Sequence, residues 1–353
     1  MNHSGLRIVS RLPVVVRDGV AADRADEYVA SHPRGSTYHR RKWLDVIRAS
    51  FGHDCRYLVA EHSRGIAGVL PLVFFRSHVF GRFAVSMPFL NYGGVLADDR
   101  DAANALLLHA IDCTKKAGGT HLELRHTEQF FTQLTPKRHK VAMELILSDS
   151  VDAEWDGLDR KIRNQVRKAE KHGLEALSGG AELLGEFYTV FARNMRDLGT
   201  PVYGRRFFEQ VLATFPTETR IFVVRAQGRP AAASLVHWYR DAIQVPWASA
   251  IREYNPLCAN VLLYWTMVRE AIERRFRVFD FGRSTPGEGT FHFKKQWGAE
   301  PRELVWEYWT AEGRPLPELN TKNPRFEMAI RAWQRLPLPV ATLLGPHVVR
   351  NIP

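Results

Sequence analysis

The sequence predicts an α/β protein of mixed sheets, built as two halves with the same element order. A chain of 353 residues is long for one domain and comfortable for two. Its 45% hydrophobic content is ordinary for a globular protein with a substantial core. The order helices, hairpin, strand, helix, strand occurs twice, with no residue-level repeat beneath it. These observations place one half over residues 1–150, a second over 151–311 and a tail over 312–353.

The first half opens with a strand-like segment, Arg11 to Arg17, and a helix, Ala21 to Ser31. Trp43, Val46 and Ile47 stand at helical spacing and predict a second helix, His39 to Ser50. Cys55 to Glu61 and Ile66 to Phe75 read as a hairpin turned at His62-Ser63-Arg64-Gly65. Phe83 to Met87 and a loop, Pro88 to Val95, follow. Asp101 to Lys116 is a helix stopped by Gly118-Gly119, and Thr120 to Arg125 is a strand. His139 to Leu147 closes this half.

The second half begins with a helix rich in Arg and Lys, Asp156 to His172, ended by Gly173. Helices Ala181 to Leu198 and Arg205 to Thr214 come next. Arg220 to Ala226 and Ala231 to Tyr239 form a hairpin turned at Gln227-Gly228-Arg229-Pro230, and Ala242 to Ala248 is a third strand. Asn260 to Arg275 is a long helix with Asn260 as its expected cap, and Arg277 to Phe281 is a strand. The tail is rich in Pro, with a helix over Phe326 to Trp333. In it Arg331, Arg335, His347 and Arg350 alternate with apolar groups, which suits peripheral contact with a membrane surface.

The net charge of +11, with a pI near 9.7, favours polyanionic partners: nucleic acid, a nucleotide or phosphate-bearing substrate, or an anionic membrane. No apolar run reaches the ~18 residues of a membrane span, and the N-terminus lacks a signal-peptide core, so a cytoplasmic location is expected. Cys55, Cys113 and Cys258 are far apart and form no metal-ligand spacing; they are read as reduced and structural, with no metal site.

The densest chemistry lies in Phe279-Asp280-Phe281-Gly282-Arg283-Ser284 and the segment Gly287-Glu288-Gly289-Thr290-Phe291-His292-Phe293-Lys294-Lys295-Gln296-Trp297-Gly298. A strand that stops at Gly282 leaves room for close approach of a ligand, because Gly has no Cβ. Arg283, His292, Lys294 and Lys295 converge on this loop. A guanidinium at 283 suits bidentate binding of phosphate or carboxylate, or a salt bridge to Glu288 or Glu300. His292, with an ordinary pKa near neutrality, is a general-base candidate or a structural residue of an aromatic loop. Lys294 neutralises substrate phosphate or a developing oxyanion, or else flanks a core Phe at the surface. Lys295 is its neighbour and points elsewhere.

Two further motifs are candidates for substrate binding. Arg163, Arg167 and Lys171 share one face of the basic helix, opposite Ile162, Val166 and Ala169. That face suits phosphates of tRNA, a nucleotide-linked sugar or CoA, or is simply solvated. No aromatics interleave with it, so no single-strand nucleic-acid platform is expected. Asn91-Tyr92-Gly93-Gly94 is a tight turn that lines a groove between the halves, or a plain turn.

The DFGR and FKKQWG elements, Asp280–Arg283 and Phe293–Gly298, resemble the C-terminal motif of the FemAB family of aminoacyltransferases. The element order resembles the GNAT acyltransferase fold, and FemAB proteins resemble two GNAT-like domains in tandem. The resemblance covers roughly Tyr38 to Trp309. Ser36-Thr37-Tyr38-His39 with Trp43, Gly68–Leu72 and Met87–Gly94 are similar to the FemAB-like subgroup associated with exosortase and exopolysaccharide gene clusters. Family members often have Gly where Arg283 stands, and this subgroup often has Arg. The run from Arg163 to Gly173 also resembles the family's RxxxRKAxKxG pattern at the start of its second domain.

What the resemblance implies is a pair of tandem GNAT-like acyltransferase domains with the tail packed back on the first. The implied reaction is attack of an amine on a thioester or aminoacyl ester, without a covalent enzyme intermediate. Lys294 falls on the lysine of the family's FKxxxG motif. The donor is a co-substrate, aminoacyl-tRNA or acyl-CoA (or an acyl-carrier protein), with no tightly bound cofactor. The acceptor is an amino group of a cell-envelope or exopolysaccharide precursor, such as a nucleotide- or lipid-linked sugar. GNAT acetyltransferases bind acetyl-CoA pyrophosphate on a Q/RxxGxG/A loop, and Ile251 to Asn260 lacks that glycine pattern. The alternative is a non-catalytic or tRNA-binding assembly protein on the same fold.

Overall fold

Apolar β-prone runs such as Val69–Phe75 become central strands buried on both faces, and the amphipathic segments become the helices that cover them. The structure is a computed structural model that describes residues 14–19, 21–77, 80–316 and 324–353. Residues 11–13 of the expected first strand lie outside the described residues. The first half comprises β1 (Val15–Asp18), α1 (Ala22–Ser31), α2 (Lys42–Phe51), β2 (Asp54–His62), β3 (Gly65–Ser77), β4 (Gly81–Val85), β5 (Leu96–Ala97), α3 (Arg100–Lys116), β6 (His121–His126) and β7 (Thr135–Ile146). The second comprises α4 (Val151–Gly157), α5 (Arg160–Lys171), β8 (Glu175–Gly179), α6 (Leu184–Asp197), α7 (Arg205–Thr214), β9 (Thr219–Ala226), β10 (Arg229–Tyr239), β11 (Ala242–Ala250), α8 (Ala259–Glu273), β12 (Val278–Ser284), α9 (Gly289–Lys295) and β13 (Glu300–Thr310). The tail forms α10 (Pro324–Gln334) and α11 (Leu338–Val349).

The strands form one sheet in the order β1-β2-β3-β4-β6-β13-β7-β12-β11-β10-β9-β8, with β5 paired to β3. The order is symmetric about the β13–β7 pair, so the two halves are related element by element. Each half sends its last strand across the midline. β13 pairs antiparallel with β6, from Val305 opposite His126 to Thr310 opposite His121. β7 pairs antiparallel with β12, from Val278 opposite Ile146 to Ser284 opposite Val141. The repeated order therefore yields one continuous sheet rather than two separate ones. The exchange gives β6 and β12 the neighbours that each half alone would leave missing. The parallel pairs β4–β6 and β11–β12 flank the exchanged strands symmetrically.

Several expected elements are reshaped for local reasons. The helix expected over Asp156 to His172 is two helices. Ser150 Oγ accepts from Ala153 N to cap α4, and Asp159 Oδ1 accepts from Lys161 N at 2.6 Å to cap α5. Asn260 is not a cap: α8 starts at Ala259 after Cys258, whose φ of 62° turns the chain into the helix. The tail, expected against the first half, packs mainly on α6. Arg196 Nη1 donates to Leu336 O at 3.1 Å and Gln334 Nε2 to Asp197 O at 3.2 Å, while Arg350 reaches across to Gly52. α11 leaves Leu343 and Leu344 exposed, and Arg331, Arg335 and Arg350 of the tail are exposed as well. No helix among the described residues is long and apolar enough to cross a membrane.

The halves also share side-chain packing. One core cluster takes Trp43, Phe51 and Phe75 from the first half and Phe207, Phe215 and Trp247 from the second. The loop before β5 is fixed in the same way. A Cβ on Gly94 would stand 2.0 Å from the His126 ring, which accepts from Val95 N and pairs with Glu307. Glycine at this position is set by that ring.

Candidate active site

β11 and β12 start as parallel neighbours and then part. Their pairing runs from Ala242 opposite Val278 to Gln244 opposite Asp280 and stops there, while β11 continues to Ala250 and β12 to Ser284. The register of β12 against β7 shifts between Asp280 and Arg283. Gly282, in that bulge, has φ 76°, and a Cβ on it would stand 3.0 Å from Val245 O and 3.5 Å from the Asn91 amide. Positive φ and this close approach together require Gly. The strand expected to stop at Gly282 therefore passes through it as a bulge.

The bulge positions Lys294. α9 is a short helix laid against β12, and Lys294 points inward from it, buried, with Nζ donating to Gly282 O at 3.1 Å and Arg283 O at 2.9 Å. An ammonium has three donors, so one is left beyond these two carbonyls. Burial pulls the Lys294 pKa down to about 8, opposed by nearby Asp280. Burial holds the Asp280 carboxyl up at about 6, although its Oδ1 accepts from Gly282 N at 2.8 Å.

Lys294 opens into a cavity of about 1130 Å³ that enters the gap between β11 and β12 and spreads over the centre of the sheet. Its floor is built on strand alternation. His121, Glu123 and Arg125 on β6, Lys137 and His139 on β7, and Trp306 and Tyr308 on β13 stand at spacings of two and line it. Val245, Pro246 and Ala248 of β11 and Tyr264 of α8 line the gap itself. Arg125 Nε donates to Glu123 Oε1 at 2.6 Å, and Tyr308 Oη donates to Glu123 Oε2 at 2.8 Å. Lys140 Nζ donates to Thr285 Oγ1 at 2.7 Å.

The cavity is cationic. Arg125 and Arg283 both lie against the Trp306 ring, 4.3 and 5.4 Å from its centroid. Burial and then the charge of Arg125 lower the Arg283 pKa to about 10, so it stays protonated at neutral pH. His139 meets Trp306 edge-on at 4.9 Å. Desolvation and then the adjacent Lys140 push its imidazole below the ordinary value.

The residues singled out in the sequence separate cleanly. Lys294, Arg283 and Asn91 line the cavity. The salt bridge considered for Arg283 is not made: its side chain has no ion pair among the described residues, and Glu300 instead meets Lys295 at 3.7 Å. Lys295 is exposed and off the cavity. His292 is exposed on the outer side of α9, its ring near Phe291, and does not line the cavity. Tyr92 does not line the cavity and ties the halves together: Gln244 Nε2 donates to its hydroxyl at 3.1 Å, and the hydroxyl donates to Asp280 Oδ2 at 3.4 Å. Arg163 and Arg167 sit on α5, outside the cavity, at 3.9 Å from Asp156 and 5.4 Å over the Trp155 ring respectively. Sequence reasoning missed Arg125, His139, Lys140 and Trp306. A signal for Arg125 exists in the alternation of His121, Glu123 and Arg125 with apolar Leu122 and Leu124.

Residues 158–295 match the family model described as an acetyltransferase (GNAT) domain. Among solved structures the chain is similar to FemX, with 16% identity and a TM-score of 0.61 over 84% of this chain and 97% of that one. It is similar to a tandem GNAT protein from the clavulanic acid biosynthesis pathway, solved without AcCoA: 13% identity, TM-score 0.56, covering 86% and 100%. It is also similar to the C-terminal domain of a putative lysylphosphatidylglycerol synthetase from Agrobacterium fabrum: 12% identity, TM-score 0.57, covering 92% and 96%. No curated protein matches the sequence. The fold is that of tandem GNAT proteins, and the match to the GNAT domain model lies within the second half.

Proposed function

We propose that the chain is an N-acyltransferase that moves an acyl or aminoacyl group from a thioester or ester donor to an amine bound in the central cavity. The observation that carries this reading is the Lys294 ammonium, held by two β12 carbonyls where β11 and β12 part, within the segment that matches the GNAT domain. In the reaction an N–C bond forms and the donor's C–S or C–O bond breaks. Charge grows on the carbonyl oxygen and then on the leaving group. Lys294 stabilises that charge, and its lowered pKa lets it return a proton to the leaving atom. His139, which lines the cavity, takes the proton that the amine loses, in place of His292, which does not line it. The donor is acyl-CoA or aminoacyl-tRNA, and the acceptor an amino group of a cell-envelope or exopolysaccharide precursor. The likeness to FemX and to a lysylphosphatidylglycerol synthetase domain supports the aminoacyl alternative, and the GNAT match supports acyl-CoA.

The test is direct. Purified protein is offered acyl-CoAs and, separately, aminoacyl-tRNA, with nucleotide- and lipid-linked amino sugars as acceptors, and the acylated product is read by mass spectrometry. Transfer from either donor supports the reading and identifies the donor. Salt-dependent tRNA binding without transfer from any donor returns the weight to an assembly protein.

The pH dependence carries its own sign. Lys294 is a cation whose pKa in the folded protein lies below its ordinary 10.5, so the charged form is present below about pH 8 and lost above it. kcat/KM is expected to fall as pH rises through about 8, and Lys294→Arg is expected to move that limb upward. A rate that climbs through pH 8 would instead make Lys294 a base and overturn its assigned role.

A further inference from the structure

Three buried polar atoms on residues that line the cavity have no hydrogen-bond partner among the described residues: Arg125 Nη1, Trp306 Nε1 and Ser284 Oγ. The first two are donors only. Arg125 is 1% exposed, and its carboxylate partner, Glu123, is shared with the Tyr308 hydroxyl. Arg283 has no carboxylate partner among the described residues, yet it faces the same indole as Arg125. Lys140 and Lys137 add positive charge from β7. Like charges gathered on one ring repel, and buried donors without acceptors are destabilising. A ligand rich in acceptor oxygens removes both costs together.

We infer that Arg125, Arg283 and Trp306 form an anion subsite that holds a phosphate or carboxylate group of the acceptor. Planar guanidiniums match both groups bidentately, and an indole N–H adds a further donor. Arg125 and Trp306 stand on the paired strands β6 and β13, and Arg283 comes from β12, with β7 between. The subsite itself stands on the cavity's chemistry; its assignment to an acceptor rests on the acyl-transfer reading.

Inorganic phosphate and succinate, each titrated into the full chain by calorimetry at fixed ionic strength, test this. Saturable binding of one of them is expected, weakened at least tenfold by Arg283→Gln. That variant breaks no side-chain hydrogen bond among the described residues, so its melting temperature is expected to stay near that of the parent chain. Arg125→Lys keeps the charge but loses the fork, and is expected to weaken binding as well. If that variant fails to fold, Arg283→Gln decides alone. Tighter phosphate binding supports a phosphate-bearing acceptor, and tighter succinate binding a carboxylate one. No saturable binding of either anion, or binding that Arg283→Gln leaves intact, overturns the subsite. Anion binding that depends on Arg283 in a protein without transfer activity would sink the acyl-transfer reading and leave the subsite standing. Transfer to neutral amines with no anion binding would do the reverse.

Discussion

Replacing Lys294 with Met is expected to reduce kcat by about 10²-fold or more, with a smaller change in KM. Loss of one charge-stabilising donor in a dry site has consequences of that order. Met keeps the length of the side chain and removes the ammonium that bonds Gly282 O and Arg283 O. Removing a buried cation also removes its desolvation cost, which offsets part of the lost hydrogen bonding, so the fold is expected to persist. Circular dichroism before and after melting checks that. Lys295→Met is the internal control. A helical step of about 100° turns Lys295 away from the cavity, and it is exposed beside Glu300. A KM effect without a kcat effect would make Lys294 a phosphate anchor. Equal, small effects of the two substitutions would remove the chemistry from this segment.

Lys294 and Arg283 were legible because their signal is local. Gly282, a short β-run and aromatics around two lysines lie within twenty residues, and glycine's freedom reports the bulge directly. The same segment misled on His292. Read as a loop, it let His292 and Lys294 converge. It is the helix α9, where residues two apart point about 200° apart, so burial of Lys294 sends His292 outward. The cavity floor was illegible for a different reason. Arg125 meets Trp306 because β13 crosses the midline to pair with β6, and no local pattern reports a partner 181 positions away. β13 itself went unread because Glu300, Pro301, Arg302 and Glu303 mask a strand whose buried run begins only at Leu304. The two-half order was readable from hairpins and helices, whose contacts are near in sequence; the strand exchange that fuses the halves was not.

That fusion sets the expected result of replacing Trp43 with Ala: a loss of about 3–5 kcal/mol, the range for truncating a fully buried Trp or Phe, in a single unfolding transition. Trp43 is 0% exposed. Its ring lies 4.6 Å from Phe215 and 5.3 Å from His237, both in the second half. Its Nε1 donates to Thr37 Oγ1, which bonds His237 Nε2 at 2.6 Å, so the truncation also loosens a polar contact between the halves. A chain of this length often unfolds in steps, one domain after the other. Here β7 is bonded into the second half's sheet and β13 into the first's, so neither half has its full set of strands without the other. Melting in urea, followed by far-UV and near-UV circular dichroism, is expected to give coincident curves for both the parent chain and the variant, the variant shifted to lower denaturant with the same slope. Two separated transitions would mean that the halves are independent despite the shared sheet. A shift worth less than about 1 kcal/mol would mean that the packing around Trp43 closes over the lost ring.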